Sequence, residues 1–145
     1  MLTNASKYAI RAVLFIAKNA KSDTKMSAIQ IAEDLDIPTH FIAKILQPLA
    51  KKGIISSLKG PKGGFYFTAK NGEKTVCDII HVTEGKDVFT KCFMGLPRCG
   101  NDNPCPVHHI VVGFKEELLQ DFNKKISEFS NDIDHQGSFL SLKDE

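Results

Sequence analysis

Two short helical patterns separated by a tight break, with a basic hairpin pattern directly after them, constrain this fold more than any other feature. Ser27 begins the first pattern with capping-box spacing, and Pro38 in the segment DLDIP ends it. The second pattern runs from about Thr39 to Lys52 and closes at Gly53, a residue suited to the turn after a helix. The spacing therefore predicts a helix-turn-helix.

The second helix of this pair has two different faces. One face is an apolar stripe that we expect to be buried, made of Phe41, Ile42, Ile45 and Leu49. The opposite face is small and polar with one cation, which suits a helix lying against base edges in a major groove. Its candidate DNA contacts are Thr39, His40, Ala43, Lys44 and Gln47. A solvated helix face is the alternative interpretation of the same residues.

After Gly53 the hydrophobic pattern changes to a period of two, with IISSLK and FYFT on either side of GPKGG. This pattern predicts a β-hairpin with a glycine- and proline-rich turn. A basic hairpin after a recognition helix is the wing of a winged helix-turn-helix, whose tip can enter a minor groove where negative potential favours a cation. The candidate contacts in the wing are Lys59, Gly60, Pro61, Lys62 and Gly63.

The predicted fold class is therefore mainly α, a winged helix-turn-helix with a two-stranded wing and a long C-terminal dimerisation helix. An amphipathic pattern over roughly residues 4–19 predicts a first helix, and TVCDIIHVTEG predicts a short one in which Cys77 is a small buried hydrophobe. From His109 to Phe129 apolar residues recur about every fourth position, which predicts one long helix whose apolar face needs a partner. The simplest partner is a second copy of the chain.

Charge divides the chain at about residue 75. Residues 1–75 contain twelve Lys or Arg and five Asp or Glu, a net charge of +7, whereas residues 76–145 contain seven and twelve, a net charge of −5. A basic first half suits a polyanion such as double-stranded DNA, although an unevenly charged surface would have the same composition. We expect a DNA-binding domain at 1–75, a cysteine-loop and dimerisation region at 76–130, and a flexible tail at 131–145.

No apolar run approaches the ~20 residues of a membrane helix, and the N-terminal stretch lacks the pattern of a signal peptide. We therefore expect a cytoplasmic protein without a membrane partner. Thiols stay reduced in the cytoplasm, so disulfides are the weaker interpretation of the four cysteines.

The segment CFMGLPRCGNDNPCPVHH, from Cys92 to His109, contains three of the four cysteines and two of the five histidines. Cys92, Cys99 and Cys105 are spaced C-x6-C-x5-C, and His108 stands three residues after the last of them. The glycines and prolines between them prevent a helix and let the loop wrap around an ion. Three thiolates and one imidazole supply the four ligands of tetrahedral zinc or of a two-iron cluster. The lack of a C-x2-C knuckle favours the cluster.

Three interpretations of these cysteines stay open from the residues alone: a metal or cluster site, reversible thiol chemistry without metal, and chance. Cysteine groups in the cytosol favour the first. A small electron-transfer or cluster-carrier protein, or a structural zinc adaptor, would also explain the loop but would leave the basic helix-turn-helix unexplained. An enzyme is not expected, because no Ser/His/Asp arrangement, phosphate loop or pair of carboxylates stands out.

The wing SSLKGPKGGF, the DII…EG segment and the three-cysteine loop together resemble the IscR/NsrR family of bacterial winged-helix regulators, also called the Rrf-two family. The resemblance covers residue 1 to about residue 130. It implies a homodimeric DNA-binding transcription factor whose operator affinity changes with the presence or oxidation state of an iron–sulfur cluster. The signal would be iron–sulfur status, redox state or nitric oxide, and cluster-assembly proteins would be further partners. The implied cluster ligands are Cys92, Cys99, Cys105 and His108.

Three positions depart from the family pattern. NsrR-like members take an aspartate ligand from the first helix of the other subunit, but Lys7 occupies that position here. This departure favours His108 as the fourth ligand and a [2Fe-2S] cluster over a [4Fe-4S] cluster, with zinc as the alternative. Lys59 stands where many relatives carry an arginine, and Ala43 stands where IscR carries a glutamate. The operator preference of relatives is therefore not expected to transfer.

Overall fold

A computed structural model describes residues 2–20 and 24–136 of the chain. The described part is mainly helical and contains one two-stranded antiparallel sheet, so the predicted mainly α fold with a two-stranded wing is confirmed. The elements follow in the order α1 (Asn4–Lys18), α2 (Ala28–Leu35), α3 (Thr39–Lys51), β1 (Ser56–Leu58), β2 (Gly64–Tyr66), α4 (Ala69–Gly72), α5 (Val76–Glu84), α6 (His108–Phe122) and α7 (Ile126–Gln136).

The helix-turn-helix forms where the sequence predicts it. The hydroxyl of Ser27 accepts a hydrogen bond from the backbone N–H of Gln30 at 3.1 Å, which caps α2. Asp36 ends α2 in the left-handed conformation with φ 55°, and Pro38 immediately precedes α3. Gly53, with φ 74°, follows α3 as expected. The two helices therefore meet across a short turn between residues 35 and 39.

The wing is shorter than the sequence pattern suggests. Only Ser56–Leu58 and Gly64–Tyr66 pair as strands, because Ile54 and Ile55 turn inward and are each only 1% exposed. The base of the wing gains a further pairing that the sequence did not predict. Met26 exchanges two backbone hydrogen bonds with Phe65, at 2.8 and 2.9 Å, so the segment before α2 lies against β2. This pairing fixes the wing relative to the helix-turn-helix.

One main core joins the first three helices to the wing and to the end of the described chain. The apolar faces of α1, α2 and α3 pack together with Ile54, Ile55 and Phe65. Ile126 and Ile133 of α7 complete this core. A second, smaller cluster of Val76, Cys77, Ile80 and Phe89 lies next to it and contacts Leu119 and Phe122 of α6.

The predicted single helix from His109 to Phe129 is wrong, because the chain breaks between Phe122 and Ile126. The break has a tertiary cause. The backbone N–H of Ile126 donates to the carbonyl of Lys74 at 2.8 Å, and the Lys125 ammonium lies 2.7 Å from a Glu73 carboxylate oxygen. These contacts turn the chain so that α7 packs against α1, whereas α6 buries none of its residues in the single chain.

The C-terminal segment also differs from the expectation of a flexible tail at 131–145. Helix α7 continues to Gln136, and Ile133 is only 6% exposed. Residues 137–145 lie outside the described residues. The proposed division of the chain at residues 75 and 130 remains a prediction. Among the described helices, none is both long and apolar enough to cross a membrane.

Candidate metal centre and nucleic-acid interface

The outward face of α3 is exposed to solvent along its whole length. Its exposed residues are Thr39, His40, Ala43, Lys44 and Gln47, all of the predicted DNA contacts in this helix. The opposite face is buried, because Ile42, Ile45 and Leu49 pack in the main core. A helix whose opposite face is packed in the core can present its exposed face to a major groove. The DNA contacts of the individual residues remain a prediction.

Phe41 departs from the prediction that it belongs to the buried stripe, since it is 45% exposed. It lies at the edge of that stripe, where α1 covers it from one side. Its ring centroid is 4.4 Å from that of His40 and 5.9 Å from that of Tyr8. The Arg11 guanidinium lies 6.0 Å from the Tyr8 ring. Sequence spacing did not predict that Tyr8 and Arg11 would lie beside the start of α3.

The tip of the wing is exposed at four of its five predicted contacts, which are Lys59, Gly60, Pro61 and Lys62. Gly63 is partly buried, and a Cβ atom there would lie 2.0 Å from the carbonyl oxygen of Leu58. At Gly64, with φ 146°, a Cβ atom would lie 2.8 Å from the carbonyl oxygen of Met26. Only glycine fits this close backbone approach, so these two residues hold the shape of the wing. The tip itself is exposed, so its side chains are accessible to DNA.

The cysteine loop runs from the end of α5 to the start of α6 and is built from backbone turns. The N–H of Gly95 donates to the carbonyl of Cys92 at 3.0 Å. Gly100 and Asn103 exchange two backbone hydrogen bonds, at 3.1 and 3.3 Å. The N–H of His108 donates to the carbonyl of Cys105 at 3.0 Å and begins α6. These turns bring the ends of the loop together.

The loop gathers its three cysteines into one group. The Sγ atoms of Cys92, Cys99 and Cys105 all lie within 4.8 Å of one another, and all three are free thiols. Cys105 is buried and the other two are partly exposed. They line a cavity of about 250 Å³ whose far wall is the inner face of α6, including Val111, Val112 and Leu119. The predicted gathering of these residues is thus present in the fold.

His108 lies beside this group at the start of α6. Its Nδ1 is 3.2 Å from the Sγ of Cys99, and its Nε2 is 3.1 Å from the Oδ1 of Asn101. The compact group within 4.8 Å contains the three sulfurs, so His108 adjoins it through Cys99. His109 is exposed, and its ring packs edge-on against that of His108 with centroids 5.4 Å apart.

The surroundings of the thiols set their acidity. Desolvation alone would raise the pKa of Cys92, but hydrogen bonds from the backbone N–H groups of Leu96 and Met94, and from the thiols of Cys99 and Cys105, lower it to about 7. At Cys99 a hydrogen bond from the Cys105 backbone acts to lower the pKa, but desolvation and the two neighbouring thiols outweigh it and raise the pKa. The group therefore contains one thiol that readily becomes a thiolate nucleophile or metal ligand.

Cys77 stands apart from this group, as predicted. It is 3% exposed within the smaller core cluster, and its Sγ lies 3.4 Å from Nε2 of His81. Burial, followed by the charge of Asp78, raises its pKa. A buried thiol with a raised pKa is unreactive, so Cys77 acts as a small core residue.

The donor set and its spacing fit a thiophilic metal. Sulfurs bound to one tetrahedral zinc ion lie about 3.8 Å apart, since the Zn–S distance is about 2.3 Å. Three sulfurs within 4.8 Å can therefore hold one ion with little movement. A cluster with two irons would require the sulfurs to separate, which a loop made of glycine and proline turns permits. Both kinds of centre suit these ligands chemically.

A helix-turn-helix with a basic wing, followed by a thiol-rich loop and an exposed helix, defines the class of winged-helix transcription regulators with a cysteine-containing loop. The chain belongs to the Rrf2 family, described as iron-dependent transcriptional regulators, whose sequence model matches residues 2–127. The resemblance inferred from the sequence is therefore confirmed. Members of this family are transcription regulators and not enzymes, and they bind DNA.

Individual relatives agree with the family assignment. The chain is 32% identical over 126 residues to a candidate HTH-type transcriptional regulator of Aquifex aeolicus, covering 86% of this chain and 85% of the relative. It is 27% identical over 132 residues to the HTH-type transcriptional regulator IscR of Vibrio atlanticus, covering 91% and 70% respectively. IscR-like relatives and the three-cysteine group together suggest metal or iron–sulfur binding.

Solved structures show the same fold. The structure of IscR from T. potens superposes with a TM-score of 0.70 at 17% identity, covering 96% of this chain and 92% of the other. CymR, the global cysteine regulator of B. subtilis, superposes with the same TM-score of 0.70 at 17% identity, covering 90% and 96%.

Proposed function

We propose that this chain is a homodimeric DNA-binding regulator whose operator affinity is controlled by a metal–sulfur centre in the cysteine loop. The proposed ligands are Cys92, Cys99, Cys105 and His108. The observation that supports it most directly is the gathering of three Sγ atoms within 4.8 Å at the junction of α5 and α6. Sulfur ligands separated by six and five residues in sequence meet there because the turns of the loop close on one cavity.

Within this proposal we favour a [2Fe-2S] cluster over a [4Fe-4S] cluster, and zinc is the alternative. The presence of His108 beside Cys99 supports a three-cysteine, one-histidine set. Lys7 at the position of the aspartate ligand in other members cannot replace that histidine, since an ammonium has no lone pair to donate. Such a cluster would make the centre responsive to iron–sulfur status, redox state or nitric oxide.

The placement of the loop supports a coupling between the centre and DNA binding. Its first residues adjoin Phe89, whose ring lies 6.4 Å from that of Phe122 at the end of α6. Lys115 of α6 also donates to the carbonyl of Lys91 in the loop. A change of the thiols would therefore act on α6, the helix that we propose joins two copies of the chain. In the proposed dimer, the two copies of α3 must match a fixed half-site spacing on DNA. A small rotation of one copy relative to the other would therefore alter the affinity for the operator.

Metal analysis of anaerobically purified protein tests the proposal. We expect visible absorption bands with equal amounts of iron and sulfide in the wild type, and their loss in Cys99→Ala. The matched control is Cys77→Ala, which removes a thiol outside the loop and should keep the bands. Colourless wild-type protein without iron, sulfide or zinc would contradict a metal centre, and stoichiometric zinc would replace the cluster with a mononuclear site. Loss of operator binding on cluster removal would support the coupling.

A thiol switch without metal is a second candidate, and one observation favours it. The three sulfurs lie close enough to form disulfides after small movements, and Cys92 has a pKa near 7. A related fold, CymR of Staphylococcus aureus, has been solved in an oxidized form. Reversible, peroxide-dependent loss of free thiols in metal-free protein, with a matching change in DNA affinity, would support this candidate. A location in the cytoplasm and cluster-assembly partners are also part of the proposal.

A further inference from the structure

Asn101 holds the imidazole of His108 from the side opposite the thiol group. Its Oδ1 lies 3.1 Å from Nε2 of His108, while Nδ1 of the same ring lies 3.2 Å from Sγ of Cys99. An amide oxygen is an acceptor only, so Nε2 must carry the hydrogen of this contact. In a neutral imidazole that leaves Nδ1 without a hydrogen and with its lone pair directed at the thiol group.

We propose that Asn101 is a positioning residue that fixes the Nε2–H tautomer of His108, so that this chain presents Nδ1 as its nitrogen ligand. The inference rests on the proposed metal-binding function, but the tautomer itself exists in the metal-free protein. Residues that bind the second ring nitrogen of a metal-ligating histidine commonly set its tautomer and orientation. Here that residue is Asn101, which is exposed and lies between Gly100 and Asn103, the two residues of the loop's backbone bridge.

Three further contacts help to fix the orientation of the His108 ring. The N–H of His108 donates to the carbonyl of Cys105, which fixes the backbone of the histidine at the start of α6. The ring of His109 packs edge-on against that of His108 and limits its rotation. Asn101 lies inside the turn closed by Gly100 and Asn103, so the pairing of these two residues fixes the backbone from which its side chain reaches His108. A ring held on both sides keeps its lone pair in one direction.

Nuclear magnetic resonance of the ring nitrogens in metal-free protein tests the first step. In protein labelled with nitrogen-15 at about pH 8, where an ordinary histidine is neutral, we expect the His108 signals to report a hydrogen on Nε2. The signals are assigned by their absence in His108→Gln. Asn101→Leu keeps the side-chain volume but removes the acceptor, and should yield a mixture of the two tautomers. Asn101→Asp keeps an oxygen acceptor and should preserve the Nε2–H form.

Binding of Co²⁺ tests the second step, because cobalt–thiolate complexes absorb visible light. We expect Asn101→Leu to weaken Co²⁺ binding by about 10-fold and Asn101→Asp to restore most of the wild-type affinity. The matched control is Asn103→Leu, since the Asn103 amide bonds the carbonyl of Arg98 and not a histidine. That variant should keep the His108 tautomer.

The two measurements distinguish a failure of the proposed role of Asn101 from a failure of the proposed metal centre. Wild-type protein that binds neither Co²⁺ nor Zn²⁺ at the thiols would overturn the proposed metal centre. An unchanged His108 tautomer and unchanged Co²⁺ affinity in Asn101→Leu would overturn the role of Asn101 while leaving that centre intact. A tautomer change of the same size in Asn103→Leu would also overturn it, because the effect would then belong to the loop as a whole.

Discussion

Glu84 joins the start of α1 to the end of α5. Its Oε1 accepts hydrogen bonds from the backbone N–H of Thr3 at 2.6 Å and from the hydroxyl of Ser6 at 2.7 Å. Partial burial acts to raise the pKa of Glu84, but these hydrogen bonds outweigh it and hold the pKa below its ordinary value of 4.5. A carboxyl with a depressed pKa stabilises the fold above its unfolded pKa and loses that effect as the pH falls through the folded pKa.

Glu84→Gln should therefore lower the free energy of unfolding by about 1 kcal/mol at neutral pH, because the carboxylate is the better acceptor. The difference from wild type should shrink as the pH falls from 4.5 towards the lower folded pKa, because the unfolded chain then binds a proton that folded Glu84 does not, and it should be smallest once Glu84 is protonated in both states. Urea unfolding over that range measures it, with Asp34→Asn on an exposed helical position as the control. A difference that stays constant down to about pH 3 would contradict this linkage.

Asn71 is a buried polar residue, 4% exposed, at the base of the wing. Its Oδ1 accepts from the backbone N–H of Thr68 at 2.8 Å and from the hydroxyls of Thr68 and Ser56 at 2.9 and 3.0 Å. Its Nδ2 donates to the carbonyl of Gly53 at 2.8 Å. The Asn71 side chain thus links the turn after α3 to β1 and α4, and this network fixes the wing beside α3.

Asn71→Ala should destabilise the fold by about 1–3 kcal/mol, because it removes four hydrogen bonds of a buried side chain and leaves partly buried carbonyl and hydroxyl groups without their partner. Chemical unfolding followed by circular dichroism measures the change. Asn123→Ala, at an exposed asparagine after α6, is the matched control and should shift stability by less than about 0.5 kcal/mol. Equal effects of the two variants would show that the Asn71 network does not stabilise the fold.

The sequence predicted the cysteine group because cysteine is rare and its spacing is easily recognised, whereas the residues that support the fold are ordinary polar types. Asn71 lies 18 residues from Gly53, and Asn101 lies seven from His108. Nothing in the composition of either neighbourhood distinguishes these asparagines from those in solvated turns. Their roles depend on contacts that exist only after the chain folds.

At the scale of the element, α6 and α7 show where periodicity fails. Apolar residues recur about every fourth position through both helices, and the residues between them, Asn123, Lys124 and Lys125, do not include a proline or glycine. The break comes from pairing of Thr75 with Lys125 and from the ion pair with Glu73. Such long-range pairing overrides local helix propensity and cannot be read from the sequence of the helix.

Helix α6 presents an apolar face that residues 2–20 and 24–136 leave uncovered. Ile110 is 77% exposed and Phe114, one turn later, is 53% exposed, whereas residues on the opposite side line the cavity beside the thiols. Adjacent apolar side chains on a helix favour packing against another apolar face. In the proposed homodimer these side chains meet their copies across a two-fold axis.

Phe114→Glu should therefore convert the dimer into a monomer, because it places two like charges in a desolvated contact. Size-exclusion chromatography with light scattering measures the mass, and circular dichroism shows whether helicity is kept. The control is Gln120→Glu, which adds the same charge at an exposed polar position of the same helix. A folded Phe114→Glu variant that remains dimeric would contradict an interface on this face of α6.

At the scale of the whole molecule, the change in net charge near residue 75 does not coincide with a boundary between hydrophobic cores. Ile126 and Ile133 from the acidic half complete the core of the basic half, and Ile79 of α5 lies in the same core. The cysteine loop therefore sits on a single packed body with α1, α3 and the wing. In the proposed function, a rearrangement at the thiols would act on α3 and the wing through contacts between side chains.

The wing tip provides the sharpest test of how this body meets DNA. Lys62 is exposed on the basic half, and a cation there should release counterions from a phosphate backbone. Lys62→Ala should weaken binding to specific and scrambled duplexes alike, and should reduce the slope of log affinity against log salt by about 1. Fluorescence anisotropy over a range of salt concentrations measures both, using a duplex that the protein itself selects from a random pool.

Lys124→Ala is the matched control, since this lysine is also exposed but pairs with Asp121 at 2.7 Å on the acidic half. It removes the same charge and should leave the salt slope unchanged if the wing faces the duplex. Equal slopes for Lys62→Ala and wild type would show that the wing does not contact the phosphates. Equal reductions in both lysine variants would show that net charge, and not the position of the wing, determines the affinity.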